Sequence, residues 1–320
     1  MSKDRILVTG AAGFIGFSLC RSILADKVEV YGVDNINNYY DVNLKKDRLK
    51  IINKYDNFKF NKINISNKLE LRKIFEEFQP TKVIHLAAQA GVRYSIENPS
   101  AYVDSNLVGF VNILDISKEY NVESFIYASS SSVYGGNEKI PFSVDDRTDI
   151  PLSLYGATKK SNELIAYSYS HLFGLPTIGL RFFTVYGPWG RPDMAMYIFA
   201  NKIAAGKPID VFNNGFMKRD FTYIDDIING IRACIANNFK YEIFNLGNNN
   251  SEELMDVIKH IENRLGKKAK INFLPIQPGD VEKTFADIRK SQELLSYNPT
   301  TNIDQGIKNF IDWYLDYKMN

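Results

Sequence analysis

Tyr155 and Lys159 stand four positions apart in Tyr155-Gly156-Ala157-Thr158-Lys159. That spacing puts both side chains on one face of a helix. A tyrosine ionises near pH ~10 and is a poor base at neutrality. A lysine ammonium beside it, helped by any second positive charge, favours the phenolate directly. Moving the tyrosine by ~3 units takes on the order of 4 kcal/mol of differential stabilisation. A phenolate so produced can take a hydroxyl proton while hydride leaves the same carbon. Upstream, Ser130 lies in Ala128-Ser129-Ser130-Ser131-Ser132-Val133-Tyr134-Gly135, just after the apolar run Ser124–Ala128. Ligands bind beyond the carboxyl ends of strands in parallel sheets. A serine there can hold the reacting oxygen against Tyr155.

The hydride needs an acceptor, and the N-terminus offers a place for one. Thr9-Gly10-Ala11-Ala12-Gly13-Phe14-Ile15-Gly16 follows the first apolar run and opens the first helical pattern. Gly10 permits a tight turn, Gly13 a close approach of backbone to a pyrophosphate, and Gly16 tight helix packing on the sheet. The N-terminus of the helix adds N–H donors and the positive end of its dipole. Asp34 ends the second apolar run, where a carboxylate accepts from adenosine ribose hydroxyls and repels a 2′-phosphate. Asn35 and Ile36, which follow, supply no arginine. The implied cofactor is NAD rather than NADP, and its oxidised nicotinamide is the second positive charge near Tyr155.

These groups need a scaffold. Arg5–Thr9, Val28–Val33, Lys82–Ala87, Ser124–Ser129 and Thr177–Phe182 read as buried strands separated by helical periodicity. Such alternation predicts an α/β fold, a Rossmann-type doubly wound parallel sheet with helices on both faces. After Arg181 the pattern is broken by Pro188, Gly190, Pro192, Gly206, Pro208 and Gly215, and a smaller C-terminal substrate domain is expected. The division places 1–180 in the NAD-binding domain, with 223–246 returning to it, and 181–320 in the substrate domain. The strand-like Tyr241–Leu246 is the piece that returns to the sheet, and the polar run Asn245–Asn250 reads as a loop. One late helix is marked by Leu254, Val257, Ile258, Ile261 and Leu265, with Asn250 as its cap and Glu253 three residues on.

Bulk properties narrow the class. The 320 residues are 45% hydrophobic and 24% charged with net charge +2, enough to build a large core. That balance gives no basis for nucleic-acid binding through bulk charge. Cys20 and Cys234 are too few for a disulfide framework, which fits a reducing, cytoplasmic setting. His85, His171 and His260 are scattered, and no metal site is expected. The apolar run Ile6-Leu7-Val8 is too short for a signal core or a membrane span.

Taken together, the glycine loop, His85-Leu86-Ala87-Ala88-Gln89-Ala90, Ser129–Gly135, Tyr155–Lys159, Arg181–Pro188 and Arg219-Asp220-Phe221-Thr222-Tyr223-Ile224-Asp225-Asp226 resemble the extended short-chain dehydrogenase/reductases, in their nucleotide-sugar epimerase and dehydratase branch. The resemblance covers nearly the whole chain. It implies Tyr155 as base, Lys159 as the cofactor-anchoring lysine and Ser130 as the catalytic hydroxyl. It also implies NAD contacts from Phe14, Ile15, Asn64, Ile65, Leu86, Ala87 and Ala88. Branches that dehydrate or decarboxylate carry an acid after the catalytic hydroxyl. Here Ser131 and Ser132 follow, which implies epimerisation at C4 through a 4-keto sugar, with NAD bound tightly and recycled.

For the substrate, Asn38-Tyr39-Tyr40-Asp41-Val42-Asn43-Leu44, Ala90–Tyr94 and Tyr186-Gly187-Pro188-Trp189-Gly190-Arg191-Pro192-Asp193-Met194-Ala195 resemble UDP-glucuronate 4-epimerases. Arg191 can pair a C6 carboxylate through two N–H bonds, with Ser131, Ser132 and Thr184 as hydroxyl donors. Arg219 resembles the diphosphate-binding arginine. Asp280, in Pro275–Val281, belongs to a second diphosphate-side segment, where Gln277 replaces the arginine of some relatives. Phe212 packs near the uracil or in the core, and Arg93 reaches the substrate from the third crossover. The alternatives are a 4-epimerase for UDP-N-acetylglucosamine or its uronic acid, an NADPH-consuming reductase, and a nucleotide sensor without catalysis. The resemblance further implies a homodimer through the helices near Val103–Tyr120 and Tyr155–Phe173, and a role in supplying polysaccharide precursors.

Overall fold

The sheet at the centre of the molecule has seven strands. Their order is Tyr241–Leu246, Thr177–Phe182, Ser124–Ser130, Lys82–His85, Arg5–Thr9, Glu29–Asp34 and Phe58–Lys62, and every neighbouring pair is parallel. This computed structural model describes residues 4–277 and 279–319. Met1, Ser2, Lys3, Pro278 and Asn320 lie outside the described residues, so the expectation for Pro275–Val281 is followed on either side of Pro278 only. The chain starts in the middle of the sheet, winds outward to Phe58–Lys62, crosses back to Lys82–His85 and winds the other way. Loops leaving Arg5–Thr9 and Lys82–His85 therefore diverge, and the switch opens a crevice at the carboxyl ends of the strands.

Continuous apolar runs suit this sheet because both of its faces are covered. Ile6 and Val8 join one buried cluster and Leu7 the other. Ile84 and Ile126 face the first cluster, Val83 and Phe125 the second. The side chains alternate with period two, yet none reaches water.

Three expectations change in detail. The fourth strand stops at His85 rather than Ala87: Leu86 N–H still donates to Thr9 O, but Ala87 N–H turns to the side chain, Thr9 Oγ1. The run Asn245–Asn250 is not all loop, since Asn245 and Leu246 complete the edge strand. Asn245 is buried, accepting from Tyr134 OH at 2.6 Å and donating to Phe142 O and Asp287 O. Its polarity serves the core. Asn250 does not cap the late helix, which spans Leu254–Leu265 and begins after Glu253 with no side-chain cap. Glu252–Glu253 instead pair antiparallel with Lys218–Arg219, and Asn250 Nδ2 donates to Glu252 at 2.6 Å.

Beyond the sheet, Thr184–Tyr186 pairs with Phe221–Tyr223 and Pro208–Phe212 with Lys270–Leu274, both parallel. Thr184, Val185, Asp210, Phe212 and Phe221 from these small pairs, with the helix Ala195–Ala204 and Leu254 at the start of Leu254–Leu265, line the crevice. Among the described residues no helix is long and apolar enough to cross a membrane. Among the described residues no group of three or more His, Cys, Asp or Glu is placed to hold a metal ion, and Cys20 and Cys234 are buried thiols.

Candidate active site

One cavity of about 1030 Å³ fills the crevice. It stands at the upper end of single-ligand pockets, roughly 300–1,000 Å³, which suits two ligands side by side. Gly10, Gly13, Phe14, Ile15, Gly16, Asp34, Ile65, Leu86, Ala87 and Ala88 line its sheet end. Ser130, Ser131, Ser132, Tyr155, Lys159, Thr184 and Arg191 line its middle. Arg93, Phe212, Arg219 and Asp280 line the far end. Asn64 is the exception. It is exposed, and its side chain accepts from Ser66 N–H in the turn after Phe58–Lys62.

The glycine loop is a cradle for backbone-bound phosphate. Gly10 turns with φ +74°, and a Cβ on Gly16 would lie 2.0 Å from Gly10 O. The obstacle at Gly16 is thus the loop itself, not the sheet. The helix Phe14–Ala25 starts directly after this turn, with its first N–H groups open to an anion. Each Asp34 oxygen accepts one backbone N–H, from Ala12 at 3.1 Å and Ile36 at 2.8 Å. A carboxylate oxygen has a second lone pair, so Asp34 retains acceptors for a ribose diol. Burial pushes the Asp34 carboxyl above its ordinary value, against the pull of those N–H groups and of Lys45 and Arg48. Those two cations come from the helix Val42–Ile52, which the sequence reading did not weigh. Both are engaged: Lys45 Nζ donates to Asn37 O and Oδ1, and Arg48 to Ala12 O and Tyr40 OH. The residues present fit an NAD-type dinucleotide.

Tyr155 and Lys159 lie on the helix Leu154–Phe173, capped by Ser153 Oγ accepting from Gly156 N–H and closed by Gly174 in the left-handed conformation. A Cβ on Gly156 would lie 2.6 Å from Ser132 O. A glycine there lets the helix press onto the serine turn, which brings the Tyr155 hydroxyl close enough to Ser130 for the serine to pull its pKa down. The turn is a short 3-10 segment, Ser131–Tyr134, with Ser130 Oγ accepting from Ser132 N–H at 3.1 Å. Lys159 Nζ donates to Ala128 O at 2.8 Å, and burial pushes its pKa down to about 8. Burial pushes Tyr155 up, while the Ser130 hydrogen bond and the charge of Arg191 pull it down. Among the protein's charges, that of Arg191 pulls Tyr155 down, and the Lys159 ammonium on the same helix is tied to the strand end at Ala128.

Below the serines lies a sealed polar knot. Ser129 Oγ donates to Glu163 Oε1 at 2.7 Å, and Arg181 grips both Glu163 oxygens at 2.8 and 2.9 Å. Arg181 also donates to Tyr134 OH at 3.0 Å. The helix Leu154–Phe173, the serine strand and the neighbouring strand are thereby locked together. On the other wall, Arg191 Nε and Nη2 donate to Asp193 at 3.0 and 2.5 Å. At the far end, Arg93 meets Asp280 at 3.4 Å and lies 4.7 Å from the Phe212 ring centre.

Residues 6–247 match the profile of the NAD dependent epimerase/dehydratase family. Protein CapI of Staphylococcus aureus is 51% identical over 331 residues, covering 98% of this chain and 99% of its own length. A UDP-glucuronate 4-epimerase of Thermodesulfobacterium geofontis is 47% identical, with coverage of 96% and 95%. The crystal structure of UDP-glucuronic acid 4-epimerase from Bacillus cereus, in complex with UDP-glucuronic acid and NAD, superposes with TM-score 0.93 at 36% identity, covering 98% of this chain and 99% of that one.

Proposed function

This chain belongs to the NAD-dependent epimerase/dehydratase family, and we propose that it interconverts UDP-glucuronate and UDP-galacturonate by inverting C4. The observation that carries the reading is Arg191. It lines the same cavity as Ser131, Ser132, Thr184 and Tyr155, close enough for its charge to act on the Tyr155 hydroxyl. A guanidinium so placed suits a carboxylate on the carbon next to the reacting ring position.

Bound NAD supplies the chemistry of taking a hydride from C4 and returning it. The Gly10–Gly16 loop and the N-terminus of Phe14–Ala25 hold its pyrophosphate and Asp34 its adenosine ribose; Ile65, Leu86, Ala87, Ala88 and Lys159 complete that side. Tyr155 removes the proton of the C4 hydroxyl and gives it back. Ser130 donates to the same oxygen and keeps it within reach. The uridine diphosphate is gripped by Arg219, Asp280, Phe212 and Arg93, so the sugar can swing about that anchor and present either face.

Oxidation at C4 turns a hexuronate into a β-keto acid, which loses carbon dioxide when the C5–C6 bond aligns with the carbonyl π-system. Arg191, Ser131, Ser132 and Thr184 hold the carboxylate out of that alignment. The chain works as two units, 1–180 with 223–246 around NAD and 181–320 around the sugar nucleotide. It works in the cytoplasm as a homodimer, its product feeding polysaccharide synthesis. The homodimer is supported by exposed Leu164, Tyr167, Leu172 and Phe173 on Leu154–Phe173 and by exposed Val103 and Val108.

The test is incubation of purified protein with UDP-glucuronate and no added NAD, followed by product NMR. The expected product is UDP-galacturonate. Inversion of UDP-N-acetylglucosamine or its uronic acid in preference to UDP-glucuronate overturns the substrate; net consumption of a reduced cofactor overturns the reaction.

A further inference from the structure

Asp193 has no part in the chemistry described so far, yet it holds the residue that reads the substrate. Arg191 Nε donates to Asp193 Oδ1 at 3.0 Å and Arg191 Nη2 to Oδ2 at 2.5 Å. Asp193 Oδ2 also accepts from Tyr39 OH at 3.2 Å. The Tyr39 ring centre lies 5.9 Å from the guanidinium carbon. All three side chains line the large cavity. They come from distant parts of the chain: Tyr39 follows the strand Glu29–Asp34, and Asp193 precedes the helix Ala195–Ala204.

A guanidinium carries five N–H groups and can take a carboxylate along more than one edge. Asp193 occupies the Nε–Nη2 edge and leaves the terminal Nη1–Nη2 edge for a second carboxylate. Burial pushes Asp193 up, but the charge and hydrogen bonds of Arg191 hold it below the ordinary carboxylate range, so it stays an anion at neutral pH. The backbone before Arg191 is pinned as well. Buried Arg48 donates through Nη2 to Trp189 O at 2.5 Å, and the Trp189 ring packs against Phe17, Trp313 and Tyr317.

We infer that Asp193 is a positioning and specificity-determining residue, which grips Arg191 along its inner edge so that the outer edge meets the C6 carboxylate of the sugar, with Tyr39 holding Asp193 in place. This rests on the hexuronate reading above. Asp193 does not act as a stand-in that leaves when substrate arrives. Its tie to Tyr39 and its separation from Arg191 by a single residue keep the two side chains together. The arrangement discriminates: a neutral C6 hydroxymethyl gains little from an edge shaped for two parallel N–H···O bonds, whereas a carboxylate gains both.

The two geometries give opposite results on removing Asp193. If it positions Arg191, the carboxylate is held less well. If it only competes, the carboxylate is held better. Steady-state kinetics with UDP-glucuronate on the wild type, Asp193→Ala, Asp193→Asn and Tyr39→Phe decide, with NAD content and the inhibition constant for UDP as controls. Asp193→Ala is expected to raise KM about tenfold, the loss of one charge-assisted hydrogen bond, and to change kcat less than about threefold. UDP, which lacks the sugar carboxylate, should bind all variants equally. Asp193→Asn keeps one acceptor and should rise less, and Tyr39→Phe least. Should Asp193→Ala lose NAD, the isosteric Asp193→Asn carries the test. A KM that is unchanged or lower in Asp193→Asn with NAD content intact overturns the role of Asp193 alone. A wild type that ignores UDP-glucuronate overturns the hexuronate reading, and this inference with it.

Discussion

Arg181 with Glu163 and Arg191 with Asp193 are the same local chemistry, a guanidinium held through two N–H bonds by a carboxylate. They serve different ends because of where they sit. Arg181 and Glu163 are 2% and 1% exposed and every neighbour is protein; Arg191 and Asp193 are 20% and 26% exposed and border the cavity. The first pair is satisfied on all sides by Ser129, Tyr134 and the Val144 carbonyl. It ties strands to the helix Leu154–Phe173 and has nothing left to offer a ligand. The second pair uses only part of its arginine and leaves the rest at the cavity. Lys159 extends the series. It is 1% exposed, and its one hydrogen bond goes to the neutral Ala128 carbonyl. A buried cation without a carboxylate costs stability, which is the usual signature of a group kept for function.

The contrast can be broken most forcefully at Arg181. Arg181→Ala strands Glu163 in the core and should lower unfolding stability by about 3–5 kcal/mol, read by denaturant titration. A variant that folds normally but loses turnover would mean the knot belongs to the active site after all. Lys159→Met should do the reverse. Burial lowers the lysine from 10.5 to about 8, so the folded chain binds fewer protons than the unfolded chain between those values. Stability should therefore rise as pH climbs from about 8 toward 10.5, by on the order of 3 kcal/mol. Lys159→Met should show a similar gain at neutral pH while losing turnover. A destabilised Lys159→Met sinks the idea that this cation is held at a cost. The smallest effect on folding belongs to Arg191→Ala. It leaves Asp193 with Tyr39 and cavity water in place of its cation, so it should cost about 1–2 kcal/mol of stability, and it should lower kcat/KM for UDP-glucuronate about a hundredfold, as expected when two charge-assisted bonds to the substrate are lost. Unchanged kcat/KM there breaks the comparison from the other side.

Much of this molecule was readable without coordinates. Ser130, Tyr155 and Lys159 could be singled out because their relation is local, a helical repeat and a strand end. The glycine loop and Asp34 stood out for the same reason. A parallel doubly wound sheet follows from apolar strands alternating with helices, but the order of its strands does not. The errors were also local in origin. Asn245 looked like loop because it is polar in a polar run, and Asn250 looked like a cap because it stands three residues before a glutamate. Each was overridden by a partner far away in the chain, Tyr134 and Phe142 for Asn245 and the Lys218–Arg219 backbone for the residues after Asn250.

The sequence by itself determined the class of fold, the glycine turn ahead of the first helix and the placing of Tyr155 and Lys159 on one helix face, because residues a few positions apart keep their spacing in any helix or strand. Only the tertiary structure decided what each charge is for. Tyr39 and Asp193 meet across 154 positions, and Arg48 reaches Trp189 across 141. No periodicity encodes such meetings. They exist because a buried charge without a hydrogen-bonding partner is costly, and the folded crevice decides which partners are within reach.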